Sequence, residues 1–217
     1  MGRGKTTSWS YAEAYPREDE VLLRARERAV TLGLRPVTPG VAAALTVLTA
    51  AAQPNSAVEV GTGTGVSGTA ILRGLPDGAV LTTIDTDVRA LRAARETFRE
   101  AGVAGHRIRT ISGRASLVLS RLSSENYDLV FLDADSANTL LYVDEASRML
   151  RPGGTLIVQD TLNQDNVPDP VARDETSRIH REVHRVFRED ERFFSTIFPT
   201  GSGLFVAVKK NSTSPTV

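Results

Sequence analysis

The sequence predicts an α/β fold: a parallel sheet with helices on both faces, closed by an antiparallel hairpin. Three observations carry this. Between Ala57 and Val158, near-continuous apolar runs alternate five times with helical patterns, as expected of strands buried on both faces. The first run breaks at Gly61, Gly63 and Gly65 and resumes as a helical pattern through Val66, Ala70 and Ile71, so it reads strand, glycine turn, helix. Near the end, Phe193–Phe198 and Leu204–Val208 are joined only by Pro199–Gly203, a link of hairpin length.

In chain order, residues 1–17 read as a flexible arm carrying Trp9, Tyr11 and Tyr15, residues 18–209 as one domain, and 210–217 as a disordered polar tail. Glu18–Leu32 has apolar residues at helical spacing, and Thr38-Pro39 is a capped start for a helix through Ala52. After the first strand and helix come a strand at Val80–Ile84, a helix from Asp87 to Ala101 closed by Gly102, and a strand at Arg107–Ile111. A short helix carries Leu117, Leu119 and Leu122. Tyr127–Asp133 is the fourth strand, Tyr142–Leu150 a helix and Thr155–Val158 the fifth strand. Thr161–Pro170 is a polar loop, and Asp169-Pro170 starts the last helix, whose apolar stripe is Ile179, Val183, Val186 and Phe187.

Composition excludes several functions. The 217 residues include 26 basic and 26 acidic side chains, so no basic excess marks a nucleic-acid surface. The chain has no cysteine, which removes disulfides, thiolate metal sites and cysteine nucleophiles. No apolar run approaches membrane-spanning length, and the basic residues of Met1–Thr7 have no apolar segment behind them, so a cytoplasmic protein with no membrane contact is expected.

The glycine turn and Asp85 point to a nucleoside. Asp85 ends the second strand a little beyond the roughly 20-residue offset at which a carboxylate meets a ribose diol. Asp133, Asp135 and Asp160 also follow strands, and a parallel sheet would gather all four at one edge. Gly63-x-Gly65-x-x-Gly68 also matches a dinucleotide fingerprint, which leaves an NAD-dependent oxidoreductase as an alternative. Glu59, inside the first strand, reads either as a brace for the turn or as a ligand contact. His180 and His184 are one helical turn apart. They read as solvated residues among Arg181, Glu182 and Arg185, or as a metal or base pair.

In this order and spacing, Val37-Thr38-Pro39, Glu59–Ser67, Thr83-Ile84-Asp85, Asp128–Asp135 and Leu150–Gly154 leading to Asp160 resemble the class I S-adenosylmethionine-dependent methyltransferases. More narrowly, the chain is similar to the catechol-type small-molecule O-methyltransferases of an actinobacterial branch. The resemblance spans about residues 20–209 and implies a Rossmann-like seven-stranded sheet with its last strand antiparallel. It implies that Gly61, Thr62, Gly63 and Gly65 line the methionine part of the cofactor, that Ser67 binds its carboxylate, and that Val37 and Glu59 lie near its amino-acid end. Asp85 takes the ribose, Arg114 and Ala115 flank the adenine, and Asp133 closes the site beside the sulfonium. The activity implied is methyl transfer to a hydroxyl of a small phenolic acceptor, in a homodimer, with Asp133 and Asp135 as catalytic candidates and Asp133 and Asp160 as candidate ligands of Mg²⁺.

Two positions depart from that pattern. Ser136 stands where the family commonly carries a lysine base, and Thr161 where it carries an asparagine metal ligand. Thr161 is a poorer ligand than an amide carbonyl, so a weakened metal requirement is expected. The same departures leave open a cofactor-binding protein with weakened catalysis.

Overall fold

The computed structural model describes residues 3–211. The elements follow the order α1 (Arg3–Ala14), α2 (Glu20–Leu32), α3 (Pro39–Ala52), β1 (Ser56–Val60), α4 (Val66–Gly74), β2 (Val80–Asp85), α5 (Val88–Glu100), β3 (Ile108–Ser112), α6 (Ala115–Val118), β4 (Tyr127–Leu132), α7 (Thr139–Met149), β5 (Leu150–Gln159), α8 (Glu175–Glu189), β6 (Phe193–Phe198) and β7 (Leu204–Lys209). They build one seven-stranded sheet of order β3-β2-β1-β4-β5-β7-β6. Strands β1 to β5 are parallel, and β7 lies antiparallel between β5 and β6. The expected α/β class, parallel core and closing hairpin are all present.

Each face of the sheet has its own core. Leu45, Ile71, Leu81, Phe98, Leu129 and Phe131 fill the side covered by α2 to α5. Val130, Met149, Leu156, Phe187 and Phe205 fill the side covered by α6 to α8. Leu129 and Phe131 face one layer and Val130 the other, which is why β4 reads as an unbroken apolar run.

The structure corrects two expectations. The segment read as an arm is helical from Arg3 to Ala14, and it is docked by a carboxylate: Glu13 accepts hydrogen bonds from Thr200 Oγ1 and Gly201 N, each 2.6 Å long. Trp9, Tyr11 and Tyr15 on this segment are exposed. The last helix begins at Glu175 instead of Asp169-Pro170, because Asp174 caps it by accepting from Ser177 N. The preceding loop is fixed by the Arg181 guanidinium, which donates to the carbonyls of Asn166, Val167, Asp169 and Ala172. Of the expected polar tail, residues beyond Asn211 lie outside those described.

Candidate active site

Strand register creates the site. Val60 is level with Ile84 on β2 and Leu132 on β4, and Leu132 is level with Val158 on β5. The next residues of each strand therefore emerge side by side at the carboxyl edge: Gly61, Asp85, Asp133 and the pair Gln159-Asp160. Gly61 has φ +92°, and a Cβ there would meet the Asp133 carbonyl oxygen at 1.8 Å, so only glycine lets β1 and β4 close this tightly.

Two cavities open at this edge. One, of ≈ 620 Å³, runs from Gly61 past Asp85 and Arg114 to Asp133, Asp135 and Tyr142. The other, of ≈ 170 Å³, lies over the glycine turn between Val37 and Ser67 and shares Gly61, Asp85 and Asp133 with the first. At the second cavity α4 is preceded by Gly65, which offers no side-chain cap, so its first N–H groups are free to bind an anion. Asp85 braces the turn: Oδ2 accepts from Gly63 N and Oδ1 from Asp87 N, both at 2.9 Å. Each oxygen keeps acceptor capacity toward the cavity. Of the residues named from the sequence, Val37, Gly61, Thr62, Gly63, Ser67, Asp85, Arg114, Ala115, Asp133 and Asp135 line one cavity or both.

Glu59 lies beneath the turn and is fully buried. Ser67 Oγ donates to its Oε1 and Thr83 Oγ1 to its Oε2, each at 2.6 Å, and the Thr83 hydroxyl also pairs with Thr62. It braces the turn, the first of the two readings left open. Burial pushes its carboxyl up to about 8 against the opposing pull of these two hydroxyls. Asp133 is half-buried at the cavity floor, where burial and then the charge of Asp160 push it up to about 7. A raised carboxyl holds its proton in the folded state over a range where the unfolded chain has lost it, so stability falls as pH rises through that range. For Glu59 the window is 4.5 to about 8. Wild-type stability should therefore decline across it, by on the order of a few kcal/mol. Glu59→Gln should flatten the decline, leaving the part due to Asp133. Denaturant titrations from pH 5 to 8.5 measure this, and an equal slope in the variant contradicts it.

Asp135 serves as a brace. Tyr142 donates to its Oδ1 at 2.8 Å, and the Asn138 amide donates to its Oδ2. As with Asp85, each oxygen keeps acceptor capacity toward the cavity. The sequence reading missed Asn138, Tyr142, Thr86 and Ser116 as cavity residues. Tyr142 looked like an apolar position of α7, and nothing local signals the others.

The donor set does not fit Mg²⁺. The ion needs six oxygens in near-ideal geometry. Here Asp133 and Asp160 are the two carboxylates expected as ligands, and the Thr161 hydroxyl that would stand third is buried and held at 2.5 Å by His184 Nε2. Among the described residues no three His, Asp or Glu side chains converge as metal donors. Both histidines also differ from the solvated reading. His180 is 3% exposed, and the His184 ring stacks on Phe205 at 5.8 Å.

Comparisons with known proteins place the whole chain. The sequence profile described as "O-methyltransferase" matches residues 13–210. A Mycobacterium avium (strain 104) protein named "Putative O-methyltransferase" is 46% identical over 200 residues, covering 92% of this chain and 90% of its own. A solved Corynebacterium glutamicum protein superposes with a TM-score of 0.88 at 30% identity, covering 97% of this chain and 99% of its own. The O-methyltransferase TomG from Streptomyces achromogenes, involved in tomaymycin synthesis and solved in complex with S-adenosylmethionine, gives 0.83 at 25% identity over 97% and 100%. A profile spanning nearly the whole chain and a relative this similar along its length lead to one conclusion: the chain belongs to the O-methyltransferase family.

Proposed function

We propose that the protein transfers a methyl group from S-adenosylmethionine to the hydroxyl of a small phenolic acceptor. The observation that carries this is the pair of joined cavities. One has an uncapped helix start for a carboxylate, and Asp85 stands between them with acceptor capacity for a diol. When bound, the cofactor supplies an electrophilic methyl on a positively charged sulfur. The α4 N-terminus takes the amino-acid carboxylate, Asp85 the ribose hydroxyls, and Arg114 and Ala115 flank the adenine. Asp133 supplies negative charge at the floor, where a cationic group is best stabilised. The chain's part in an in-line displacement is to align acceptor oxygen, methyl carbon and sulfur, and to take the hydroxyl proton.

The homodimer, with the exposed aromatics of α1 in its interface, and the cytoplasmic location belong to the same proposal. Among the described residues no helix is long and apolar enough to cross a membrane. Isothermal titration should show binding of S-adenosylhomocysteine and none of NAD. A labelled-methyl assay over a phenol and catechol panel then tests transfer. NAD binding without S-adenosylhomocysteine binding sinks the reading. Turnover should survive a strong chelator, because the donor set lacks a third ligand. Complete loss on chelation, restored by micromolar Mg²⁺, would contradict that.

A further inference from the structure

The smaller cavity has two acidic side chains on its wall, Asp85 and Asp133, and among the described residues a single basic one, Arg35. The proposed cofactor ends in an ammonium and a carboxylate on one carbon, and that carboxylate needs more than the site has so far offered it. Asp85 and Asp133 repel it. The α4 N-terminus supplies only about half an elementary charge. Ser67, the hydroxyl expected at this carboxylate, is engaged beneath the turn, 2.6 Å from Glu59 Oε1. Arg35 is the full positive charge that the wall provides.

The chain fixes the backbone of Arg35 at this wall and leaves its guanidinium free. Arg35 lies in the loop between α2 and α3. On one side Leu34 N donates to Ala29 O at 2.8 Å. On the other, Arg26 Nη1 donates to Val37 O at 2.7 Å, and Arg26 is gripped by both oxygens of Glu18, each at 2.6 Å. Pro36 then restricts Arg35 to extended backbone. The Arg35 side chain is exposed and makes no hydrogen bond or ion pair among the described residues. By contrast, Arg24, Arg26 and Arg28 of α2 all pair with glutamates. A free guanidinium beside a cavity offers a carboxylate two parallel hydrogen bonds together with its charge.

We propose that the Arg35 guanidinium binds the carboxylate at the cofactor's amino-acid end, beside the α4 N-terminus. The inference rests on the methyltransferase reading above. It gives each charge of that end a partner of opposite sign: Asp133 for the ammonium, Arg35 for the carboxylate. It also makes Arg35 the residue that distinguishes the intact cofactor from a nucleoside thioether without the carboxylate.

The test compares two probes by calorimetry: S-adenosylhomocysteine, and its decarboxylated analogue, which keeps the ammonium and loses the carboxylate. Wild type should bind the first more tightly. Equal affinities overturn the proposal without any variant having to fold. Arg35→Gln should weaken S-adenosylhomocysteine binding roughly 5- to 30-fold, between the upper end for an exposed ion pair and the middle of the range for a charged hydrogen bond. It should bind the analogue within about twofold of wild type, because the contact it loses is absent there. Arg35→Lys should keep part of the affinity, since it keeps the charge and loses the fork. An Arg35→Gln protein that binds S-adenosylhomocysteine as wild type does overturns the proposal. So does an equal loss for both probes, which would make Arg35 a support of its loop and not a partner of the carboxylate. Either result, with a wild type that binds S-adenosylhomocysteine, overturns this inference alone. A wild type that does not bind S-adenosylhomocysteine overturns the function reading and the inference with it.

Discussion

Asp85→Ala should weaken S-adenosylhomocysteine binding by roughly 10²–10⁴-fold. In the proposed complex Asp85 accepts from both ribose hydroxyls, and a hydrogen bond to a charged group contributes about 1.5–3 kcal/mol. Two such bonds make about 3–6 kcal/mol, at 1.4 kcal/mol per factor of ten. The carboxylate also holds Gly63 N and Asp87 N, so part of the loss could come from a loosened turn. A ligand lacking the 2′-hydroxyl separates the two effects. Wild type should bind it more weakly than S-adenosylhomocysteine, while Asp85→Ala should bind the two alike. Calorimetry on the four combinations gives the coupling directly. If the variant binds S-adenosylhomocysteine as wild type does, Asp85 has been misassigned.

The strand-end residues were legible because each depends on local chemistry. Asp85, Asp133 and Asp160 follow short apolar runs, and a parallel sheet brings such positions to one edge. The features that stayed hidden depend on contacts distant in sequence. Helix α1 has no apolar stripe, so Arg3–Ala14 resembled an arm. Glu13, which docks it, finds its partners at Thr200 and Gly201 on the far hairpin. His180 and His184 looked solvated because Arg181, Glu182 and Arg185 surround them in the sequence. Yet Arg181 reaches sideways to loop carbonyls, and Arg185 pairs with Glu182 and Glu189 on the outer face, leaving the inner face to the histidines. The same carbonyl contacts keep 169–173 out of the helix that Asp169-Pro170 seemed to begin. Thr161 was weighed as a metal ligand, and only its burial against His184 removes it from that role.

Gly61→Ala should be the most destabilising single-methyl change at the site. Two effects act together. The backbone has φ +92°, where a side chain is strained by roughly 1–2 kcal/mol. The added Cβ would also meet the Asp133 carbonyl oxygen at 1.8 Å, with the carbonyl carbon at 2.7 Å. That neighbour is backbone and cannot rotate away. The β4 end must move, and with it the Asp133 N–H that donates to Val60 O at 2.8 Å. The expected loss is about 3 kcal/mol or more. In a chain of this length that lowers Tm by roughly 6–12 °C. Gly63→Ala is the control. It also has positive φ, at +50°, but nothing lies within 4 Å of its added Cβ. It should therefore show the strain without the clash. Urea titrations of both variants measure the difference, and binding of S-adenosylhomocysteine by folded Gly61→Ala should be impaired because Asp133 has shifted. Equal stabilities for the two variants would mean that the β1–β4 junction yields to a methyl group, and that the tight approach of these strand ends is not what fixes Asp133 at the cavity floor.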